Sequence, residues 1–135
     1  MPFIKWTEDL SVGVAELDSQ HKSLIDLANA LYHSINNGND REILGKALDR
    51  LLDYIAFHFG SEESLFQKHG FPYERTHKRE HDQFSWRVLD MRGRWNRGED
   101  LQISEVQDFL SDWIQNHILH SDKEYAGFFK SKGVR

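Results

Sequence analysis

The chain has 135 residues, 39% hydrophobic and 29% charged, enough for one domain with one sizeable core. A net charge of −5 with no dominant basic stripe argues against a nucleic-acid surface, and the absence of cysteine excludes disulfides, thiolate zinc sites and thiol catalysis. No apolar stretch approaches the roughly 20 residues that span a bilayer, and Met-Pro-Phe-Ile-Lys-Trp has no signal-peptide pattern, so a cytoplasmic protein without a membrane span is expected.

Residues 1–17, with Pro2 and Gly13, read as an extended N-terminal arm. Leu17-Asp18-Ser19 offers an N-cap, and apolar residues then recur with helical spacing at Leu24, Ile25, Leu27, Ala28, Leu31 and Ile35. This predicts a first helix over about 19–37. Asn36-Asn37-Gly38-Asn39-Asp40 stops it and caps the next. A second helix is expected over about 41–68. Its stripe is Leu44, Leu48, Leu51, Ile55, His58, Glu62 and Leu65, so a histidine and a glutamate stand where buried leucines belong.

His69-Gly70-Phe71-Pro72 closes that segment. A third helix over about 74–96 carries the stripe His77, His81, Phe84, Val88, Met91 and Trp95, and Asn96-Arg97-Gly98 ends it. Arg87, Arg92, Arg94 and Arg97 read as a solvated face. Ser104 with Gln107 reads as a capping box for a fourth helix over about 104–130. Its stripe is Val106, Leu110, Trp113 and His117, followed by Asp122, Tyr125 and Phe129.

The step from His117 to Asp122 is irregular. Five residues at about 100° each overshoot a full turn by about 140°, so a regular helix would point the two side chains apart. The later apolar residues follow the phase of Asp122. A local widening such as a π-bulge is therefore expected between the two. Short connections make neighbouring helices antiparallel. The expected fold is all-α: a single up-down-up-down antiparallel four-helix bundle spanning residues 1–135, with the N-terminal arm.

Each helix places at least one polar residue on its inward stripe: His21, then His58 and Glu62, then His77 and His81, then His117 and Asp122. One histidine on an apolar face is usually a hydrogen-bonded core residue. A buried carboxylate is rarely tolerated unless it is paired or binds a cation. Pairs at i and i+4, such as His58/Glu62 and His77/His81, share a helix face and can grip one metal. Imidazole and carboxylate without thiolate suit iron, zinc or manganese. Seven donors exceed what one metal takes from protein and suit two metals sharing carboxylate bridges, the five imidazoles dividing three to two. His33, His69 and His120 fall out of phase and read as surface or capping residues.

The order His, His-x-x-x-Glu, His-x-x-x-His, His-x-x-x-x-Asp resembles hemerythrin, the non-haem di-iron oxygen-binding family. Asp18-x-Gln20-His21, His58-Phe59-x-x-Glu62-Glu63, His77-x-x-x-His81 and His117-Ile118-x-x-x-Asp122 carry the resemblance over nearly the whole chain. The arm, with Trp6 and Gly13, is similar to that of the single-domain bacterial members. The resemblance implies that His77, His81 and His117 bind one iron and that His21 and His58 bind the other. Glu62 and Asp122 would bridge the two ions, with a solvent-derived oxo or hydroxo as third bridge. The iron with two histidines would keep a position open for dioxygen.

Candidates by helical phase for an apolar oxygen pocket are Ile25, Ile55, Phe59, Phe84, Trp113, Ile118 and Leu119, with Ile118 or Leu119 as the expected contact. Ferritin-like di-iron sites use two Glu-x-x-His motifs. Only Glu74-x-x-His77 is present, so that site cannot be assembled in the same way. The expected function is reversible dioxygen binding for transport, storage or delivery by a monomer that is not an enzyme, with an oxygen-consuming protein as recipient. The alternatives are an oxygen or redox sensor and a di-iron peroxidase or nitric-oxide-handling enzyme. An enzyme should offer an acid or base beside the open metal. No unassigned polar residue stands clearly on the inward stripes there, and Glu63, about 100° from Glu62, is expected to face outward.

Overall fold

The structure is a computed structural model that describes residues 4–34 and 40–135. Four long helices form an antiparallel bundle: α1 (Ala15–Ser34), α2 (residues 40–69), α3 (Glu74–Asn96) and α4 (residues 103–131). The segment 36–39, expected to stop the first helix, and Ile35 lie outside the described residues.

Helix α1 starts earlier than its sequence pattern suggests, at Ala15 rather than Ser19. Gly13, at φ 76°, turns the chain in the left-handed region that only glycine enters without strain. Asp18 does not cap its own helix. Its carboxylate reaches back to accept Ser11 Oγ–H at 2.6 Å and the Val12 N–H at 2.8 Å. The arm is pinned further along α1, where Asn29 exchanges two hydrogen bonds with the backbone of Ile4. The extended arm of the sequence pattern is thus a docked segment containing a short 3-10 turn at Glu8–Leu10.

Helix α2 is α-helical over Asp40–Tyr54, π-helical over Ile55–Phe59 and α-helical again over Gly60–His69. The sequence pattern gave no warning of this π segment. Its consequence is visible in the burial. Leu44, Leu48, Leu51, His58 and Glu62 face inward as expected, but Phe66 takes the core position assigned to Leu65, and Ile55 is only half-buried. One extra residue in the helix shifts the downstream phase by one position. Gly70, at φ 72°, ends the helix, and the N–H groups of Gly70 and Phe71 both bond the carbonyl of Phe66.

Helix α3 matches its expected bounds and buries His77, His81, Phe84, Val88 and Met91. Its arginines are more than a solvated face. Arg92 reaches the Gly45 carbonyl at 3.3 Å and Asp49 at 3.2 Å on α2, and Arg94 holds Glu105 on α4 at 2.5 Å. These contacts tie neighbouring helices together, which the one-helix pattern could not reveal. Ser104 and Gln107 form no capping box. Helix α4 begins at Ile103 without a side-chain cap, and Gln107 is fully buried. Its position four residues from Ile103 and from Ser111 places it on the packed face, and packing overrides the local capping preference.

The expected irregularity in α4 is present. Residues Ile114–Ser121 are π-helical, and the N–H of Asp122 donates to the carbonyl of His117, five residues back. That bond stacks Asp122 one turn above His117, on the same face. Tyr125 and Phe129 continue the new phase into the core.

The apolar interior divides into two clusters. One contains Leu24, Leu27, Leu48, Leu51, Phe84, Val88, Met91 and Leu110 with their neighbours. The other contains Leu17, Phe66, Phe71, Tyr125 and Phe129 with Val12 and Val14. Along every helix the seven polar residues fall between the members of these clusters, so a polar layer lies between two apolar ones.

Candidate metal centre

All seven residues of the sequence pattern meet in that layer. His21, Glu62 and Asp122 are fully buried, and His58, His77, His81 and His117 are at most 3% exposed. Their donor atoms form two groups, Glu62 with His77, His81 and His117, and His21, His58, Glu62 and Asp122. His33 and His120 are exposed and His69 is half-buried beside Phe129, so none of the three joins the layer.

The carboxylates span both groups. Asp122 Oδ1 lies 2.8 Å from His77 Nε2 and 2.8 Å from His117 Nε2, while its Oδ2 lies 3.1 Å from His21 Nε2. Glu62 Oε1 lies 2.9 Å from His81 Nε2, and its Oε2 lies 3.3 Å from His58 Nε2. Each carboxylate therefore gives one oxygen to a three-histidine group and the other to a two-histidine group.

These atoms are close, yet most do not hydrogen-bond. Nε2 of His77, His81 and His117, Oε1 of Glu62 and both oxygens of Asp122 are buried without a hydrogen-bond partner. Lone pairs converging at 2.8–3.6 Å without donor hydrogens between them are costly in a protein interior. Cations relieve that cost, and nitrogen and oxygen donors in this number fit two of them.

In the metal-free protein, protons must do part of that work. Burial works against charge on His21 and His77, but Asp122 and Glu62 outweigh it and raise the two imidazoles to about 9 and about 10. His117 is raised in the same way, by Asp122 against burial. His58 is lowered, because burial dominates over Glu62 there. Burial would push the carboxyl of Glu62 up, yet the positive charge of His58 and the imidazoles of His21 and His77 beside it hold it well below its usual range. Burial and Glu62 act likewise on Asp122, and His117 with His21 overcome them.

Around the seven stands a ring of groups that orient them. His58 Nδ1–H donates to Gln20 Oε1 at 2.5 Å, and Gln20 Nε2–H donates to Ser61 Oγ at 3.3 Å. His81 Nδ1–H donates to Glu63 Oε2 at 2.9 Å. His117 Nδ1–H faces Glu80 Oε1 at 3.4 Å, and Ser121 Oγ–H holds the same oxygen at 2.7 Å. Each bond fixes the tautomer that leaves the Nε2 lone pair facing inward. The Tyr125 hydroxyl donates to Glu62 Oε2. Glu63 thus faces the site rather than solvent, since its 100° offset from Glu62 points it at the next helix.

The sequence pattern missed the roles of Gln20, Glu80 and Tyr125. Their signal was faint: Gln20 adjoins a buried histidine, and Tyr125 is a hydroxyl on an apolar stripe.

Aromatic rings cover the histidines. Phe59 lies flat on His81 at 3.8 Å and 2°, and Trp113 lies on His117 at 3.8 Å and 11°. Ile25, Phe59, Phe84 and Ile118 are buried in the adjoining apolar cluster, and Ile55, Trp113 and Leu119 pack against it half-buried. Tyr54 stacks on His58 at 4.8 Å and 18°. Its hydroxyl is buried without a partner; burial and the charges of Glu62 and Asp122 push the phenol well up, against a weaker opposite influence of Trp113. Tyr54 is therefore an unassigned polar group beside the two-histidine side, where the sequence pattern offered none. Among the described residues, no helix is long and apolar enough to cross a membrane.

Comparison with known proteins agrees with this architecture. The family model for the hemerythrin HHE cation binding domain matches residues 12–129. A bacteriohemerythrin of Stenotrophomonas maltophilia is 36% identical over 131 residues, covering 97% of this chain and 84% of that protein. One from Methylococcus capsulatus is 37% identical over 127 residues, covering 93% and 96%. A solved wild-type hemerythrin superposes with a TM-score of 0.85 at 36% identity, covering 93% of this chain and 97% of that one. With the match running from the docked arm through all four helices, the chain belongs to the hemerythrin family.

Proposed function

We propose that the chain binds dioxygen reversibly at a pair of iron ions and serves to carry, store or deliver it. His77, His81 and His117 would hold one ion and His21 with His58 the other. Glu62 and Asp122 would bridge them, with an oxo or hydroxo as third bridge. The observation that carries this reading is the division of both carboxylates between a three-histidine and a two-histidine group. Five imidazoles and two carboxylates cannot saturate two six-coordinate ions equally, so the two-histidine side keeps room for an incoming ligand. When bound, the iron pair supplies the two electrons that dioxygen takes up reversibly.

The protein's own residues would do the rest. Gln20, Glu63 and Glu80 orient His58, His81 and His117. Ile25, Phe59, Trp113, Ile118 and Leu119 would keep bulk water and protons from the pair, as the oxygen pocket. The acting form would be a monomer in the cytoplasm, releasing oxygen to an oxygen-consuming recipient protein. One observation favours the enzyme reading, a peroxidase or nitric-oxide-handling activity: the unpartnered Tyr54 hydroxyl is a proton-bearing group at the site.

The test is spectroscopic. The iron-loaded protein is reduced without oxygen, exposed to oxygen and taken through deoxygenation cycles. A visible charge-transfer band that appears and disappears repeatedly is expected, with two irons per chain. Irreversible oxidation at the first exposure, or turnover with an added reductant, would overturn the carrier reading.

A further inference from the structure

A buried donor beside the cluster, the Tyr54 hydroxyl, has no acceptor. The Tyr54 hydroxyl and the Trp113 indole Nε1–H are both shielded from solvent, and the indole N–H faces the phenol oxygen in a weak contact, which leaves the phenol O–H without an acceptor. They come from different helices, α2 and α4, and each stands immediately before a π-helical segment. Tyr54 lies on His58 of the two-histidine group, and Trp113 lies on His117 of the three-histidine group. Phe59 and Phe84 touch both rings, at 5.9 and 6.4 Å from Tyr54 and at 5.8 and 4.4 Å from Trp113. The two side chains therefore share one aromatic wall. A buried donor without an acceptor is rare enough to need a cause, and an acceptor that arrives from outside is one.

We propose that Tyr54 is a positioning residue whose hydroxyl, oriented by the Trp113 N–H, donates a hydrogen bond to a small anionic ligand on the His21–His58 side. An indole N–H can only donate, so Trp113 occupies the lone-pair side of the phenol oxygen, and the phenol, protonated at neutral pH, presents its O–H to an acceptor. A neutral apolar gas gains nothing from it, whereas azide, or dioxygen as it takes on negative charge, does. Tyr54 also gives the ligand a way in. One edge of its ring lines a groove of about 400 Å³ between α1 and α2, together with Gln20, Leu24, Leu27, Arg50 and His58. Arg50 and Asp53, both exposed, line the same groove with opposite charges. Tyr54 thus forms part of the wall of a surface groove that reaches His58 of the two-histidine group.

This inference rests on the iron-pair reading, and its test separates the two. The oxidised iron-loaded protein, its Tyr54→Phe variant and its Trp113→Phe variant are titrated with azide, following the visible charge-transfer band. Iron content is measured for each, and the metal-free forms are melted. Wild type should hold two irons and develop the azide band. Tyr54→Phe should hold the same iron with an azide Kd raised about tenfold, since a hydrogen bond to a charged acceptor is lost. Trp113→Phe, which keeps a ring against His117, should raise the Kd less. The metal-free Tyr54→Phe protein should melt close to wild type, because the hydroxyl makes only a weak contact with Trp113. An azide Kd within twofold of wild type, or a lower metal-free melting temperature with unchanged azide binding, overturns the role of Tyr54. Wild type without two irons or without the band overturns the iron-pair reading itself, and the inference with it.

Discussion

The two halves of the metal centre are built differently. On the three-histidine side, two of the imidazoles are backed by carboxylates, His81 by Glu63 and His117 by Glu80, and both are covered by flat aromatic rings. On the two-histidine side, His58 is backed by the neutral amide of Gln20, Nδ1 of His21 has no partner, and a groove leads in from the surface. A carboxylate behind a histidine makes it a stronger donor, while an amide orients without adding charge. The asymmetry counted as three histidines against two thus extends one layer outward. The richer side is backed by carboxylates and the poorer side by an amide, while a surface groove reaches each: His58 between α1 and α2, and His117 between α3 and α4.

The largest effect should come from abolishing what joins the halves. Glu62→Ala removes an oxygen from each group, and iron per chain, measured by elemental analysis, should fall from two to below one. Asp122→Ala should do the same. Retention of two irons by either variant would dissociate the bridging role from these residues.

Next comes the difference in backing. Glu63→Gln and Glu80→Gln make the backing of the three-histidine side resemble that of the two-histidine side, and iron affinity should fall about tenfold or more in competition with a chelator. Gln20→Glu reverses the comparison by giving the two-histidine side a carboxylate, and should lower the reduction potential of the iron pair, read by redox titration. Equal effects of Glu63→Gln and Gln20→Glu in the same direction would break the distinction.

Proton occupancy sharpens it further. In the metal-free fold His21 and His77 bind protons up to about pH 9 and pH 10, against an ordinary value near 6.5. Protons are then held more tightly in the folded than in the unfolded chain. Their contribution to stability is complete below about pH 6.5 and is lost as pH rises through 9 and 10. The depressed carboxylates, Glu62 and Asp122, contribute above about pH 4, and that contribution is lost as pH falls. The melting temperature of the metal-free protein should therefore decline between pH 7 and pH 10. The iron-loaded protein, in which metal replaces those protons, should show a flatter profile.

Smaller still is the effect of the apolar cover. Ile118→Ser or Leu119→Ser should speed irreversible oxidation of the oxygenated protein by admitting water, followed as loss of the visible band. An unchanged rate for both would remove them from the pocket. Smallest is a change remote from the metals. A Cβ at Gly45 would come 2.7 Å from the Trp95 ring, so Gly45→Ala should lower the unfolding free energy by about 1 kcal/mol despite the better helix propensity of alanine.

Much of this was legible in the chain because helices impose a period. His58 and Glu62, and His77 and His81, share faces by spacing alone, and the five-residue step from His117 to Asp122 announced a π segment before any coordinates. The π segment at Ile55–Phe59 was silent, because His58 and Glu62 keep an ordinary i, i+4 step and the slip appears only as Phe66 replacing Leu65 in the core. The Ser104–Gln107 capping box was legible and wrong, since burial of one face outranks a local cap worth about 1 kcal/mol.

Helix periods, inward faces and the seven polar residues, five imidazoles and two carboxylates, follow from the order of residues alone. They do so because each is set by spacing along one chain segment. Helix packing, by contrast, sets which carboxylate backs which histidine, turns Glu63 inward, docks the arm on α1 and brings Tyr54 and Trp113 together beside the cluster. Those outcomes depend on the distance and rotation between helices, which packing sets and no single-helix period records.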